Sequence, residues 1–229
     1  MRDGLVRAAF TIVALVLAAA APDGQSGSGT ITGYVKLTSR VRGTPLPSNA
    51  YQPRAINRRD PGSAPEIKNV VVYLKDVAFR GSLRPMRAEI TKQHEAFMPR
   101  VLAVTRGSTV DFPNADPFFH NVFSLSGAET FDLGRYPQGQ TKSKTFPKAG
   151  LVKVFCHIHS HMSATILVLD YPYFAVPEVD GAFTLSNVPP GRYTIVGWHE
   201  RVGERTTPIV VEDGKTASIN LSLPVEDTP

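Results

Sequence analysis

Three observations predict an all-β protein. Proline and glycine number 19 and 18 among 229 residues, which leaves little room for long helices. Apolar residues fall in short runs, several alternating with polar ones, and each run is bounded by glycine, proline or polar clusters. No window sustains a 3.6-residue helical period. A hydrophobic share of 42% against 20% charged residues excludes a disordered polymer and suits one or two compact domains.

The elements follow in order. Met1 to Arg7 is a short charged leader, and Ala8 to Ala21 is an apolar run ending in alanines. That run is shorter than the roughly 20 residues a spanning helix needs. Residues 1–21 therefore read as a secretory signal peptide. Cleavage near Pro22 or Asp23 would leave a soluble chain, periplasmic or extracellular. Strands are expected at Thr30 to Leu37 and Asn69 to Leu74, with a long irregular loop, rich in Pro, Arg, Ser and Asn, over 38–68. Further strands are expected at Phe97 to Val104, Thr109 to Phe112, Lys144 to Phe146, Leu151 to Cys156 and Ala164 to Asp170. The C-terminal part adds Ala182 to Leu185, Arg192 to His199, Pro208 to Val211 and Ala217 to Leu223. Asp180-Gly181 and Asp213-Gly214 are hairpin-type turn signals, since glycine reaches positive φ without strain. So many short strands mean a sandwich or barrel.

Charge is uneven. Lys36 to Arg106 carries 14 basic and 5 acidic residues, and the remainder of the chain is net acidic. The basic residues are not interleaved with stacking aromatics, so no nucleic acid is expected as a partner. Solvated charge, or a docking face for an acidic partner, accounts for them better.

A single cysteine excludes an internal disulfide framework, a cysteine-rich zinc site and a thiolate-held iron–sulfur cluster. Yet it opens Cys156-His157-Ile158-His159-Ser160-His161-Met162, which offers a thiolate, imidazoles and a thioether in seven positions. Two histidines, one cysteine and a weak axial methionine make the blue-copper arrangement. The loop supplies the cysteine, one histidine and the methionine, and His120, well upstream, is the natural source of the second histidine. Zinc through Cys156 and the histidines is less suited, because methionine is a poor zinc ligand. A buried cysteine beside surface histidines is the remaining alternative.

These residues resemble the cupredoxin family, the plastocyanin- and amicyanin-like blue copper proteins. Cys156, His159 and Met162 match the ligand loop C-x2-H-x2-M of amicyanin, and His120-Asn121 matches the family's first ligand and its following asparagine. The segments Phe97 to Val104 and Gly107 to Asn114 look like the strand and turn that lead into that ligand. The likeness covers roughly Ile90 to Tyr171. It implies a Greek-key sandwich with one type 1 copper held by His120, Cys156, His159 and Met162, and Asn121 tying the two ligand loops together. The Phe-rich surroundings, Phe118, Phe119, Phe123 and Phe155, would exclude water. His161 adjoins Met162 and leaves no turn between two ligands, while His157 follows Cys156 and points to the other face. His157, His161 and His199 stay as candidates for extra metal contacts, and His94 reads as a solvated strand-edge residue.

A second resemblance flanks the first. Asp180-Gly181-Ala182-Phe183 through Pro189-Pro190-Gly191-Arg192-Tyr193 is similar to the D-G-x-F…P-P-G-x-Y signature of carboxypeptidase regulatory-like domains. The preceding strands of that transthyretin- or immunoglobulin-like β-sandwich are filled by Gly29 to Val35 and Val70 to Leu74. The implied organisation is a cupredoxin domain (88–175) inserted between two parts, 29–84 and 176–224, of one sandwich; a linear order of N-terminal strands, cupredoxin and C-terminal domain is the alternative. The family implies a one-electron carrier, not an enzyme, with an unidentified redox partner protein and electron exit at His159. Copper handling, as chaperone, buffer or sensor, is the alternative, motivated by His157 and His161.

Overall fold

A computed structural model describes residues 27–38, 65–77, 79 and 81–225. The expected signal peptide and most of the expected 38–68 loop lie outside them. Among the described residues the regular secondary structure is almost wholly strand. In order these are β1 (Gly29–Leu37), β2 (Val70–Lys75), β3 (Arg87–Glu89), β4 (Thr91–Gln93), β5 (Ala96–Met98) and β6 (Val101–Thr105). Next come β7 (Thr109–Pro113), β8 (His120–Ser126), β9 (Glu129–Tyr136), β10 (Thr141–Thr145), β11 (Gly150–Phe155) and β12 (Ser163–Leu169). The last are β13 (Phe174–Ala175), β14 (Ala182–Val188), β15 (Gly191–His199), β16 (Gly203–Val211) and β17 (Thr216–Leu223). A single 3-10 turn, Glu66–Asn69, precedes β2.

Period-two alternation stacks fifteen of these strands in four layers, and β4 and β5 pair as a separate hairpin. The first sheet has the order β14-β1-β17, the second β13-β2-β15-β16, the third β6-β12-β11-β8-β9 and the fourth β10-β7-β3. On β2, Val70, Val72 and Leu74 face a core shared with the first sheet, while Val71 and Tyr73 face the third sheet. On β12, Ala164, Ile166 and Val168 face the fourth sheet, and Leu167 and Leu169 face back toward β2. Strands buried on both faces read as continuous apolar runs, which is why β2 and β12 are so legible in the sequence. The middle interface holds Val71, Tyr73, Val101, Ala103, Leu167, Leu169, Val196 and Trp198. Each large apolar side chain buried there contributes about 1.5–3 kcal/mol. The two sandwiches are therefore joined by a core of their own.

The N-terminal strands close against the C-terminal ones. Strand β1 runs parallel to β17 and antiparallel to β14, and β2 pairs with β15 and β13. Gly33 is required at the β1–β17 crossing, because a Cβ there would lie 1.7 Å from the Ile219 carbonyl oxygen. Gly181, with φ of 90°, accepts the Val35 N–H at its carbonyl and docks the Asp180-Gly181 turn onto β1.

Several strand expectations are revised. The run from Phe97 to Val104 is two strands, β5 and β6, with Pro99 and Arg100 between them. Proline brings no N–H to a ladder, which interrupts the pairing. Strands β8 and β9 were not expected, although Glu129-Thr130-Phe131-Asp132-Leu133 alternates polar and apolar and packs with that period. Asp213-Gly214 forms a turn with Gly214 at φ 64°, but it carries the chain from the second sheet to the first and is not a hairpin. Pro208 sits on β16, an edge strand, where the missing donor is tolerated.

Candidate metal centre

Two segments bring the donor atoms together at one end of the third sheet. The first leaves β7 at Pro113 and returns as β8 at His120. Asn114, buried, shapes it: its side-chain N–H groups donate to the Phe118 and Tyr136 carbonyls, and its Oδ1 accepts the Asp116 N–H. This short turn delivers His120, completely buried, at the first position of β8. The second segment begins where β11 ends, so Cys156 follows Phe155 directly out of the sheet. A tight turn, in which the Met162 N–H donates to the His159 carbonyl at 3.0 Å, then returns the chain as β12.

His120 Nδ1 lies 3.8 Å from Cys156 Sγ, His159 Nδ1 lies 3.8 Å from the same sulfur, and the two Nδ1 atoms are 3.1 Å apart. Donors bonded to one metal at about 2.0–2.3 Å stand roughly 3–4 Å from one another, so the three atoms fit a single ion. Cys156 and Met162 are both buried and belong to the same apolar cluster. The Phe118 ring covers the pair of imidazoles, its centroid 5.2 Å from the His120 ring and 5.6 Å from the His159 ring. Phe119, expected to exclude water, is more than half exposed. Phe123 and Phe155 pack against each other, and Phe123 also stacks on His157 at 3.7 Å.

Asn121 spans the two segments. Its Oδ1 accepts the His157 N–H at 2.6 Å, and its Nδ2 donates to Asp132 Oδ1 at 3.0 Å and faces His157 Nδ1 at 3.3 Å. The other candidates lie apart from the three-donor group. His157 is on the surface near Asp132, and His161, also exposed, meets Glu95 Oε2 at 3.3 Å. His199 is buried in the flanking sandwich, where Glu66 takes one ring nitrogen and the Arg201 N–H the other. His94, read as a strand-edge residue, occupies the turn between β4 and β5 with φ of 55°.

Two residues beside the site were not singled out from the sequence. Asp116 accepts His120 Nε2 at 2.8 Å, the His94 N–H at 2.7 Å and the Glu95 N–H at 3.0 Å. Burial pushes its carboxyl up, but the Glu95 N–H, His120 and the His94 N–H together hold it below its ordinary value. Burial lowers the pKa of His120 despite the Asp116 hydrogen bond, which favours the neutral imidazole that a metal needs. Lys92 is completely buried, with Nζ 3.4 Å above the Tyr136 ring and a 3.2 Å hydrogen bond to the Phe112 carbonyl. Burial pulls its pKa down to about 7. Asp116 stands four residues before His120 among turn formers, but only the folded loop shows that it reaches back. Lys92 carries no sequence signal, since charged residues alternate with apolar ones on any half-exposed strand.

No protein-family model matches the chain, and no curated protein matches it. Solved structures resemble part of it. A copper-containing nitrite reductase from Thermus scotoductus SA-01 aligns at 27% identity over 43% of this chain and 26% of its own, with a TM-score of 0.36. A purple cupredoxin from Nitrosopumilus maritimus aligns at 21% identity over 36% of this chain and 99% of its own, with a TM-score of 0.33. Amicyanin from Paracoccus versutus aligns at 22% identity over 36% of this chain and 81% of its own, with a TM-score of 0.35. The chain thus spans about a quarter of the nitrite reductase. The metal-binding reading rests on the site itself: two imidazole nitrogens and one thiol sulfur, close enough together to share an ion.

Proposed function

We propose that this chain is an exported one-electron carrier with a single type 1 copper held by His120, Cys156, His159 and Met162. The observation that carries the reading is the convergence of two imidazole Nδ1 atoms on one buried sulfur, with a buried methionine closing the same loop. Thiolate, imidazole and thioether are the donor set that suits copper in both oxidation states, and the ion would supply the one-electron couple. The protein's own part is to hold its donors still. Asn121 fastens one ligand loop to the other, Asp116 orients the His120 ring, and Phe118 shields both imidazoles. Fixed donors require little rearrangement between oxidation states, which suits electron transfer. Phe118, Phe119 and Ile158, all partly exposed near His159, form the surface on which a redox partner would dock.

We further infer that 88–175 is the copper domain and that 29–84 with 176–224 forms a carboxypeptidase regulatory-like sandwich around it. The pairing of β1 with β14 and β17, and of β2 with β15, supports this division. Residues 1–21 would direct export. Among the described residues no helix is long and apolar enough to cross a membrane.

The test is copper loading of the full chain. An intense visible thiolate-to-copper band that is reversibly bleached on reduction, and absent from Cys156→Ser, is the expected result. A band that survives Cys156→Ser overturns the reading. A colourless protein that takes up and releases copper(I) would instead favour copper handling.

A further inference from the structure

The β4–β5 hairpin places two opposite charges against the metal centre from behind. Its two turn residues, His94 and Glu95, both have positive φ, at 55° and 54°, although neither is glycine. Such backbone is costly for residues with a Cβ and persists only when its surroundings hold it. What holds it is Asp116, whose two carboxylate oxygens accept the two turn N–H groups. The same carboxylate takes His120 Nε2 at 2.8 Å. Because Asp116 accepts there, Nε2 carries the proton and Nδ1 is left with its lone pair toward Cys156 and His159. The turn clamps the carboxylate, and the carboxylate orients the ligand.

Two residues before that turn, the same hairpin buries Lys92. The Lys92 carbonyl accepts the Ala115 N–H at 2.9 Å, so its backbone is bonded to the loop that carries Asp116. Its ammonium rests on the ring of Tyr136, the residue paired directly across the β8–β9 ladder from His120. Among the described residues no carboxylate lies within ion-pair distance of Lys92, and its one hydrogen-bond acceptor there is the neutral Phe112 carbonyl. Burying a lysine without an ion pair is expensive, and ordinary packing would put an apolar residue there. The groups around it that bear charge or titrate are Tyr136 on β9, Lys142 on β10, Asp116 in the loop, His120 at the start of β8 and Cys156 after β11.

We propose that Asp116 and Lys92 are positioning residues that set the reduction potential of the centre in opposite directions, with the β4–β5 hairpin as the element that holds both. This rests on the copper reading above. An anion near the metal favours the more highly charged oxidised state, and a cation favours the reduced one. Asp116 lowers the potential and Lys92 raises it.

The experiment uses the full chain and the variants Asp116→Asn and Lys92→Met. In the copper-free protein, nitrogen chemical shifts of His120 report the tautomer. The wild type is expected to carry its proton on Nε2, and Asp116→Asn to lose that preference. A wild-type proton on Nδ1 overturns the proposal without reference to any metal. In the copper-loaded protein, the ratio of reduced to oxidised copper is read optically at one fixed electrode potential and pH 6, where Lys92 keeps its proton. A unit charge within about 10 Å, at the effective dielectric of a protein, shifts a one-electron equilibrium by more than about fivefold, so Asp116→Asn should raise the ratio at least about fivefold and Lys92→Met lower it by a similar factor. A purely structural role would leave both ratios alone or move them in the same sense, and either result overturns the proposal. Should Asp116→Asn fail to fold, the sign of the Lys92→Met shift decides alone, since methionine suits a buried site. Failure of the wild type to take up copper overturns the electron-carrier reading and this proposal together. Copper uptake without opposed shifts overturns this proposal and leaves that reading standing.

Discussion

Among the described residues two histidines are completely buried, His120 in the sandwich that carries the candidate metal centre and His199 in the flanking one. Each turns Nε2 toward a carboxylate, Asp116 at 2.8 Å and Glu66 at 3.0 Å. They differ at the other nitrogen. His199 Nδ1 accepts the backbone N–H of Arg201, and Glu66 is further held by Arg201 and Asn69, so every polar group in that cluster is satisfied from within. His120 Nδ1 faces a sulfur and a second imidazole nitrogen instead. A buried histidine with a carboxylate partner is thus no evidence for a metal by itself. What marks a ligand is the company its second nitrogen keeps.

That contrast breaks most sharply under alanine substitution. His120→Ala should abolish stable metal uptake, measured by visible absorption and metal content, while the chain stays folded. His199→Ala should leave uptake unchanged and cost about 1–3 kcal/mol in denaturant unfolding, because it removes a buried ring and one of the partners of the half-buried Glu66 carboxylate. Equal loss of metal in the two variants would end the distinction.

Acid probes the flanking cluster next. The hydrogen bond from His199, opposed by burial and helped by Arg201, lowers the Glu66 pKa to about 2. A depressed carboxyl stabilises the fold above its unfolded pKa and ceases to do so as pH falls through the folded value. The contribution should therefore be full above about pH 4.5 and disappear toward pH 2, amounting to at most about 3 kcal/mol. Glu66→Gln should flatten the acid limb of thermal unfolding followed in the copper-free chain. An unchanged acid limb would show that the cluster contributes nothing to pH dependence.

The smallest effect is expected at Asn121. Removing a partner that orients ligands costs about 10–100-fold in metal affinity, so Asn121→Ala should weaken uptake without eliminating it. Competition with a chelator measures this. A loss as complete as that of His120→Ala would make Asn121 part of the site proper.

The sequence disclosed most where side chains repeat a pattern or hold a rare chemistry. Strands β2 and β12 are continuous apolar runs because both of their faces are covered, and a lone cysteine beside histidines and a methionine can be read without coordinates. Strand β8 carries no such pattern, because its seven residues begin with the candidate ligand and bury His120, Asn121 and Ser124 while Leu125 is exposed. Asp116 and Lys92 escaped for a different reason. Their significance lies in what they meet across loops, the His94-Glu95 turn and the Tyr136 ring, and no local spacing encodes that meeting. The third core, around Trp198, was equally hidden, since an apolar face pointing outward from one sandwich becomes interior only when the second packs on it.

The parallel pairing of β1 with β17 also dictates a schedule. Thr32 and Ser218 lie side by side although they are 186 positions apart in the chain. During synthesis the first strand has no partner in its own sheet until β14 emerges, and that sheet is incomplete until β17 follows. Contacts so distant in sequence form slowly, because the loop between them must be closed before they return any energy. The strands that build the metal centre, β7 to β12, are contiguous and available much earlier. The sandwich that carries the candidate metal centre can therefore assemble first and act as the template that brings the two ends together, making closure of the flanking sheet the last folding event.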